Sequence, residues 1–245
     1  MSSAAGLLFE LANTDRLTML REIDKEPMRL SQVARKLSAT VQETSRHLER
    51  LSKARLIEKD TNSAYRITSF GELVLSLLPS FDFLQKRRGF FLSHDLSSLP
   101  PGFVQRIGEL SEHHYVDRLD EALAHAERVI KEAKEYVWLM ADQQVRQSYP
   151  HEHPEPVSLR LILPIGIDLE AFQRIRKQTG TRLQIGFMDD VKATIVMNEK
   201  TAAVCFPSLD GRMDFTQGFA GKTPEFHGWC RDLYSFYWEK SKKNR

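Results

Sequence analysis

The chain is 245 residues long, 41% hydrophobic and 28% charged, which fits a globular protein with room for two domains and a sizeable core. Its 35 basic and 33 acidic residues leave a formal net charge of only +2, so a nucleic-acid site has to be a local patch. No apolar run approaches the roughly 20 residues of a membrane span, and the two cysteines, Cys205 and Cys230, are too few for a disulfide framework or a zinc cluster, so reduced thiols in a cytoplasmic protein are expected.

The first stretch, MSSAAGLLFELANTDR, has no basic segment before its short apolar run and no clear cleavage site. It reads as the start of a helix and not as a signal peptide. Helical periodicity runs from Leu7 to Ile23, with Asn13-Thr14-Asp15 as an interruption or fresh cap, and Pro27 closes the region. Ser31 is expected to cap a short helix, SQVARKL, with Val33, Ala34 and Leu37 facing inward. Ser38-Ala39 is then the turn into a second helix. Two short helices joined by about three residues have helix-turn-helix spacing.

The second helix, SATVQETSRHLERLSKAR (Ser38–Arg55), is the stretch with the strongest signal. Thr40 is a good N-cap, and Glu43 stands where a capping box needs its partner. At about 100° per residue, Val41, Thr44, Ser45, Leu48, Leu51 and Ser52 share a side suited to a core. Gln42, Arg46, Arg50 and Lys53 line the opposite side, flanked by Glu43 and His47. Gln and Arg read adenine and guanine edges bidentately, and Lys and Arg meet phosphates. Gln42, Glu43, Arg46 and Arg50 are therefore the candidates for base edges, and Thr40, Lys53, Lys59 and Arg66 those for the backbone, with His47 beside them.

LIEKDTNSAYRIT follows, in which Leu56–Lys59 and Tyr65–Thr68 alternate like strands around turn-rich Asp60–Ala64. This predicts a β-hairpin directly after the reading helix, the position of a wing. From Arg29 to Arg66 there are nine basic and four acidic residues, a local charge of +5 that exceeds that of the whole chain. A basic patch in a near-neutral protein is an electrostatic footprint for nucleic acid.

TSRHLERLSKARLIEK followed by YRIT resembles the winged helix of the arsenical-repressor and multiple-antibiotic-repressor type, over roughly Leu7–Thr68. The resemblance implies a duplex-DNA reader with a Ser-Arg-His-Leu segment in its recognition helix and a Leu-Ile pair opening the wing. Arg55 stands where that family usually has Gly, so the helix is expected to lack its usual left-handed terminal residue. The metal-sensing members carry Cys or Cys/His ligands, whereas this segment has no Cys and a single His, His47, so metal sensing by that route is not expected.

Phe70, Val74, Leu77, Phe81, Leu84 and Phe91 lie close to a 3.5-residue repeat, the pattern of a coiled-coil seam. Pro79 is expected to kink or break it near Leu78, with a second helix from Ser80 to about Leu92. A homodimer through this connector is expected, because dimeric readers match two half-sites. SHDLSSLPPG (Ser93–Gly102) reads as the loop before a further domain. The expected division is 1–69 for DNA binding, 70–100 as helical connector and 101–245 as an effector or sensor domain.

In the last part, helices at Phe103–Leu110, Leu119–Ala133, Asp168–Gln178 and Glu225–Lys240 alternate with strands at Tyr136–Asp142, Val157–Gly166, Arg182–Met188, Ala193–Asn198 and Thr201–Phe206. This predicts a mixed-sheet α/β domain, hence α+β overall. Ligands of such sheets sit beyond the carboxyl ends of the strands, here Asp142-Gln143, Pro164–Gly166 and Phe187–Asp190. Trp138, Asp142, Arg160, Phe187 and Trp229 are the candidate ligand-binding residues. FFLSHDLSSLPPGFVQRIGEL and FHGWCRDLYSFYWEK resemble the effector domain of archaeal winged-helix regulators, the group named after a regulator of methanogenesis and filament formation. The strand order is also similar to the phospholipase-D-like sensor domain of archaeal sugar-responsive regulators. No His-x-Lys of the lipases occurs, so the resemblance implies a sensor.

Other chemistry is weaker. His113-His114 and His151-Glu152-His153 lack the i, i+4 spacing of a helix-borne metal site, and neither phosphate-binding glycine motif nor a G-x-S-x-G elbow occurs. Leu209–Asp214, LDGRMD, lacks the ligand set of a calcium loop and reads as a turn. The expectation is a transcriptional regulator that binds double-stranded DNA and itself, answers a small-molecule effector, and has no catalytic role, cofactor or membrane contact. The rivals are an enzyme that uses the winged helix as an interaction module, and an architectural DNA-binding protein.

Overall fold

A computed structural model describes residues 3–142, 157–166 and 182–243. The chain divides into two compact units, Met1–Pro79 and Ser80–Arg245, and the fold is mixed α and β throughout.

The first unit opens with α1 (Ala4–Leu11) and α2 (Thr14–Lys25), split where the sequence suggests. Asn13 caps α2 by accepting from the Arg16 N–H at 2.9 Å. The buried Arg16 side chain donates to the Phe9 and Glu10 carbonyls, each at 2.8 Å. These lie in the last turn of α1, where no helical N–H reaches. Then come β1 (Met28–Arg29), α3 (Leu30–Lys36), α4 (Val41–Lys53), β2 (Ile57–Lys59) and β3 (Ala64–Ile67). Two details differ from expectation. α3 starts at Leu30, so Ser31 lies inside it, and its start is held instead by Gln32, whose side chain accepts the Arg29 N–H at 2.7 Å. The hairpin is also not alone, because β1 pairs with β3 and gives the order β1-β3-β2. The core joins Met19, Leu20 and Ile23 of α2 to Val33, Leu48, Leu51, Leu56 and Val74.

α4 is bracketed by two left-handed residues, Ser38 (φ 53°) before it and Arg55 (φ 61°) after it. After α4 the Leu56 N–H reaches the Leu51 carbonyl and the Arg55 N–H the Ser52 carbonyl, both at 3.0 Å. That is a Schellman motif, and the same pair of bonds ends α3 through Ala39 and Ser38. The expected lack of a left-handed terminal residue is therefore corrected: Arg55 itself takes that conformation. A non-glycine residue there carries about 1–2 kcal/mol of strain, and glycine gives back about 0.4–1 kcal/mol through a freer unfolded chain. Arg55→Gly is accordingly expected to stabilise the first unit by about 0.5–1 kcal/mol, read as a raised urea midpoint with unchanged slope. A lower midpoint would contradict the strain.

α5 (Ser69–Lys86) runs through Pro79, and a short α6 (Arg88–Ser93) follows. The expected break near Leu78 and the second helix from Ser80 are thus corrected. Pro79 is exposed, where water can take up the carbonyl that its missing N–H leaves unpaired. The seam is corrected as well. Val74 is buried in the core and Leu73 stands exposed in its place, and Phe91 packs against the core of the second unit.

The second unit continues with α7 (Pro101–Gln105), a 3-10 turn at Ile107–Leu110 in place of one helix over 103–110, β4 (His114–Val116) and α8 (Leu119–Lys131). β5 (Tyr136–Met140), β6 (Ser158–Pro164), β7 (Arg182–Met188), β8 (Thr194–Met197), β9 (Ala202–Cys205), β10 (Gly218–Gly221), α9 (Pro224–Lys240) and β11 (Lys242–Lys243) complete it. The helix expected over 168–178 lies outside the described residues. The eight strands form one sheet in the order β11-β7-β6-β5-β8-β9-β10-β4, with β5-β6-β7 parallel and the other pairings antiparallel.

Alternation along the strands sends side chains to two buried faces. Ile195, Met197 and Val204 meet Phe226, Trp229, Leu233 and Tyr234 of α9, with Phe83, Phe90 and Phe219. On the other face Leu139, Leu159, Leu161 and Val196 meet Val129, Ile130 and Ala133 at the end of α8. In the Leu209–Asp214 turn, Asp210 accepts from the Arg212 N–H and Asp214 from Thr216 and from His94, so both carboxylates are engaged within the fold.

Candidate nucleic-acid interface

α4 forms because its start is capped from both sides. Thr40 Oγ1 accepts the Glu43 N–H at 3.2 Å, and the Glu43 carboxylate accepts from the Thr40 hydroxyl at 2.8 Å and from its N–H at 3.4 Å. These bonds hold the Glu43 carboxyl below the usual carboxylate range, the Thr40 hydroxyl contributing most. The two residues were candidates for a phosphate and a base edge, and the structure employs both in the cap. The core side is Thr44, Leu48 and Leu51. Val41 and Ser45 are exposed and not inward, because the first turn of α4 projects past the core that Leu48 and Leu51 fill.

The outward edge presents Gln42, Ser45, Arg46, Glu49 and Lys53. Gln42 and Arg46 have no hydrogen-bond or ion-pair partner among the described residues, and both lie in the first half of the helix. Lys53 pairs with Glu49 one turn back at 2.7 Å, on an exposed surface where such a pair is readily exchanged for a phosphate. In the hairpin Arg66 pairs across the strands with Glu58 at 2.6 Å, and the Lys59 ammonium sits 5.7 Å from the centre of the Tyr65 ring. Asp60 Oδ1 accepts from the N–H groups of Asn62 and Ala64, both at 2.8 Å, and shapes the turn between the strands.

Arg50 is placed differently from Arg46. Its guanidinium meets the Glu10 carboxylate of α1 twice, at 2.9 and 2.6 Å, and lies 5.3 Å from the centre of the Phe9 ring. The two hydrogen bonds donated by Arg50 are the main reason the Glu10 carboxyl sits low. Arg50 thus anchors α1 to α4. Glu10 and Phe9 were not singled out in the sequence, because their partner lies 40 residues away and no local pattern marks the pair. His47 is half-buried, with Nδ1 enclosed and unbonded; burial first, then the Arg16 charge, pushes its pKa down, so it is neutral at pH 7.

The five ligand candidates are divided between surroundings. The Arg160 guanidinium lies between the Trp138 and Trp238 rings, 4.9 and 4.7 Å from their centres, and Nε donates to Gln184 at 3.1 Å. Trp138 also stacks on Tyr234. Phe187 packs on the opposite face of the sheet. Trp229 is fully buried, and its indole N–H donates to the Phe103 carbonyl at 3.2 Å; it fills the core. Asp142 follows the end of β5. Trp138 and Arg160 are therefore brought together, while Phe187 and Trp229 are held apart from them. His113, whose Nδ1 faces the Leu110 and Ser111 carbonyls and whose Nε2 accepts from Arg87 at 2.8 Å, braces the fold, and His151 and His153 lie outside the described residues.

No protein-family model matches the chain, and no curated protein matches it. Among solved structures it is similar to TrmBL2, described as an archaeal chromatin protein with a novel mode of DNA binding, at 13% identity and a TM-score of 0.43, over 89% of each chain. It is also similar to LepI in complex with SAM, at 13% identity and a TM-score of 0.25, over 70% of this chain and 67% of that one. Likeness this low carries no argument about function.

Proposed function

We propose that the protein is a sequence-specific double-stranded DNA-binding transcriptional regulator of the archaeal winged-helix kind. The observation that carries this reading is the outward edge of α4, where Gln42 and Arg46 stand exposed and unpaired on a helix that is capped at its start and closed by a left-handed residue at its end. A hairpin with Lys59 and Arg66 follows it at once. Such an edge suits the major groove, which admits one helix and offers bidentate partners to Gln and Arg. Lys53, Lys59 and Arg66 supply backbone contacts, and release of surface partners such as Glu49 and Glu58 accompanies binding.

In this reading the protein acts as a homodimer through the exposed stripe of α5, and the second unit senses a ligand or partner and biases the spacing of the two reading heads. Such coupling needs a ligand that binds two states of the dimer unequally.

The test is a salt titration of the purified chain on duplex fragments selected from genomic DNA. Binding through several phosphates gives a log affinity that falls linearly with log salt, by about 0.9 for each phosphate contacted. A compact near-palindromic site with a steep slope is expected. A flat slope would overturn the reading in favour of an interaction module, and a large footprint without sequence preference would overturn it in favour of an architectural protein.

A further inference from the structure

Beneath α8 the second unit holds a cavity of about 90 Å³ that the DNA-binding reading does not use. Small side chains on both walls leave room for it among larger ones such as Leu139, Val196 and Phe219. Ala122 and Ala126 of α8 face Ala203 and Cys205 of β9 and Gly218 of β10. A side chain at Gly218 would come within 2.8 Å of the Val204 carbonyl oxygen, so that wall stays thin. Val129 and Ile130 at the end of α8, and Ala133 just after it, pack onto the sheet, and Ile130 closes that end of the cavity. Leu123, 43% exposed, stands at the mouth.

Among the described residues the lining contains no Asp, Glu, Lys or Arg. Two of its lining side chains carry a buried polar atom with no hydrogen-bond partner among the described residues, His125 Nε2 on the helix side and Thr194 Oγ1 on the sheet side. Thr194 is 7% exposed, and its polar neighbour is the Cys205 thiol, a weak partner whose pKa burial raises to about 12. Burial holds the His125 imidazole below its ordinary pKa, helped by Arg128 and His114, so the ring is neutral at pH 7. A buried polar atom left without a bond is costly, and two of them on side chains that line one apolar void call for a ligand that supplies hydrogen bonds without charge.

We propose that this cavity binds a small, uncharged, hydroxyl-bearing molecule with a compact apolar body, of the size of a single ring or a short branched chain. A hydroxyl both donates and accepts, so it serves the imidazole and the threonine alike. The absence of charge from the walls excludes a carboxylate or ammonium ligand, whose desolvation nothing there would offset. A closed apolar cavity of about 150 Å³ holds benzene; this one is smaller, so a single ring is the upper limit and is accommodated by reaching the opening at the half-exposed Leu123. The site lies on the α8 side of β8–β10, away from the Trp138–Arg160 cluster, and stands whether or not the first unit reads DNA.

The test uses phenol as probe, with benzene and benzoate as comparison compounds, on the full chain with methyl NMR read at Leu123, Val196 and Val204. Phenol is expected to give saturable shifts at these methyls, with benzene at least tenfold weaker and benzoate inactive. Ala126→Leu, which fills the void, abolishes the phenol shifts, and His125→Phe narrows the gap between phenol and benzene, Thr194 keeping part of the preference. Should Ala126→Leu fail to fold, His125→Phe and the three-compound ranking decide alone. Absence of saturable shifts, equal binding of phenol and benzene, binding of benzoate, or phenol shifts that survive the filled cavity would each overturn the proposal.

Discussion

Replacing Gln42 and Arg46 together by alanine is expected to abolish the preference of the protein for its operator while leaving weak, salt-sensitive binding to any duplex. Each bidentate base contact is worth about 1–3 kcal/mol of discrimination, and two residues one turn apart that read neighbouring base pairs remove most of it. The residual binding is expected from Lys53, Lys59 and Arg66, the proposed phosphate contacts, which carry no sequence information. Anisotropy titrations on operator and scrambled duplexes therefore converge for the double variant, with a salt slope close to that of the wild type. Lys59→Ala or Arg66→Ala gives the reverse pattern, with equal weakening on both duplexes and a slope reduced by about one. Arg50→Ala separates a structural from a reading role. Because Arg50 is bonded twice to Glu10, its loss is expected to lower the thermal midpoint, and Glu10→Gln should lower it in the same direction. An operator preference that survives the Gln42/Arg46 change would mean that α4 is not the reading helix.

How far the sequence reveals this protein depends on how local each signal is. The α4 cap was legible because its two partners, Thr40 and Glu43, lie three residues apart and their side chains bond each other and each other's backbone. The strands Arg182–Met188 and Thr194–Met197 were legible through their apolar runs. β1 and β11 were not, since two residues carry no periodicity and these strands exist only by pairing with β3 and β7. β4, with three residues, was missed for the same reason, and β10, as long as β8, because glycine at both its ends removes the strand signal. Pro79 misled because local propensity counts the lost hydrogen bond but not the exposure that makes the loss tolerable. Arg50 and Arg46 are equivalent on a helical projection. A carboxylate 40 residues away decides which of them stays open to a ligand. The two polar atoms in the α8 cavity likewise come from separate elements, His125 and Thr194, and neither is unusual in its own segment.

Charging the exposed stripe of α5 is expected to convert a dimeric protein to monomers without unfolding them. Phe70, Leu73, Leu77, Phe81 and Leu84 follow one another at spacings of three and four residues and are between 39% and 67% exposed. Residues so spaced form one continuous apolar band along a helix, and a band of this kind marks an interaction surface more than ordinary surface does. Full burial of a large apolar side chain contributes about 1.5–3 kcal/mol. Only about half of each side chain is still exposed, so five from each of two copies contribute on the order of 8–16 kcal/mol, comparable with the association cost of about 4–15 kcal/mol. Leu77→Glu with Phe81→Glu places four carboxylates in that contact and removes the driving force at its centre. Since both side chains already face solvent, the monomer should lose little stability, within about 0.5 kcal/mol for each change. Sedimentation at micromolar concentration is expected to show a dimer for the wild type and a monomer for the variant, with matching melting curves. Operator affinity should fall by about 10²–10⁴, because the second reading head no longer binds at the effective concentration set by the first. Binding to a single half-site should stay unchanged. That contrast assigns the loss to the link between the heads and not to the heads themselves, and a wild type that sediments as a monomer would remove the dimer from the account.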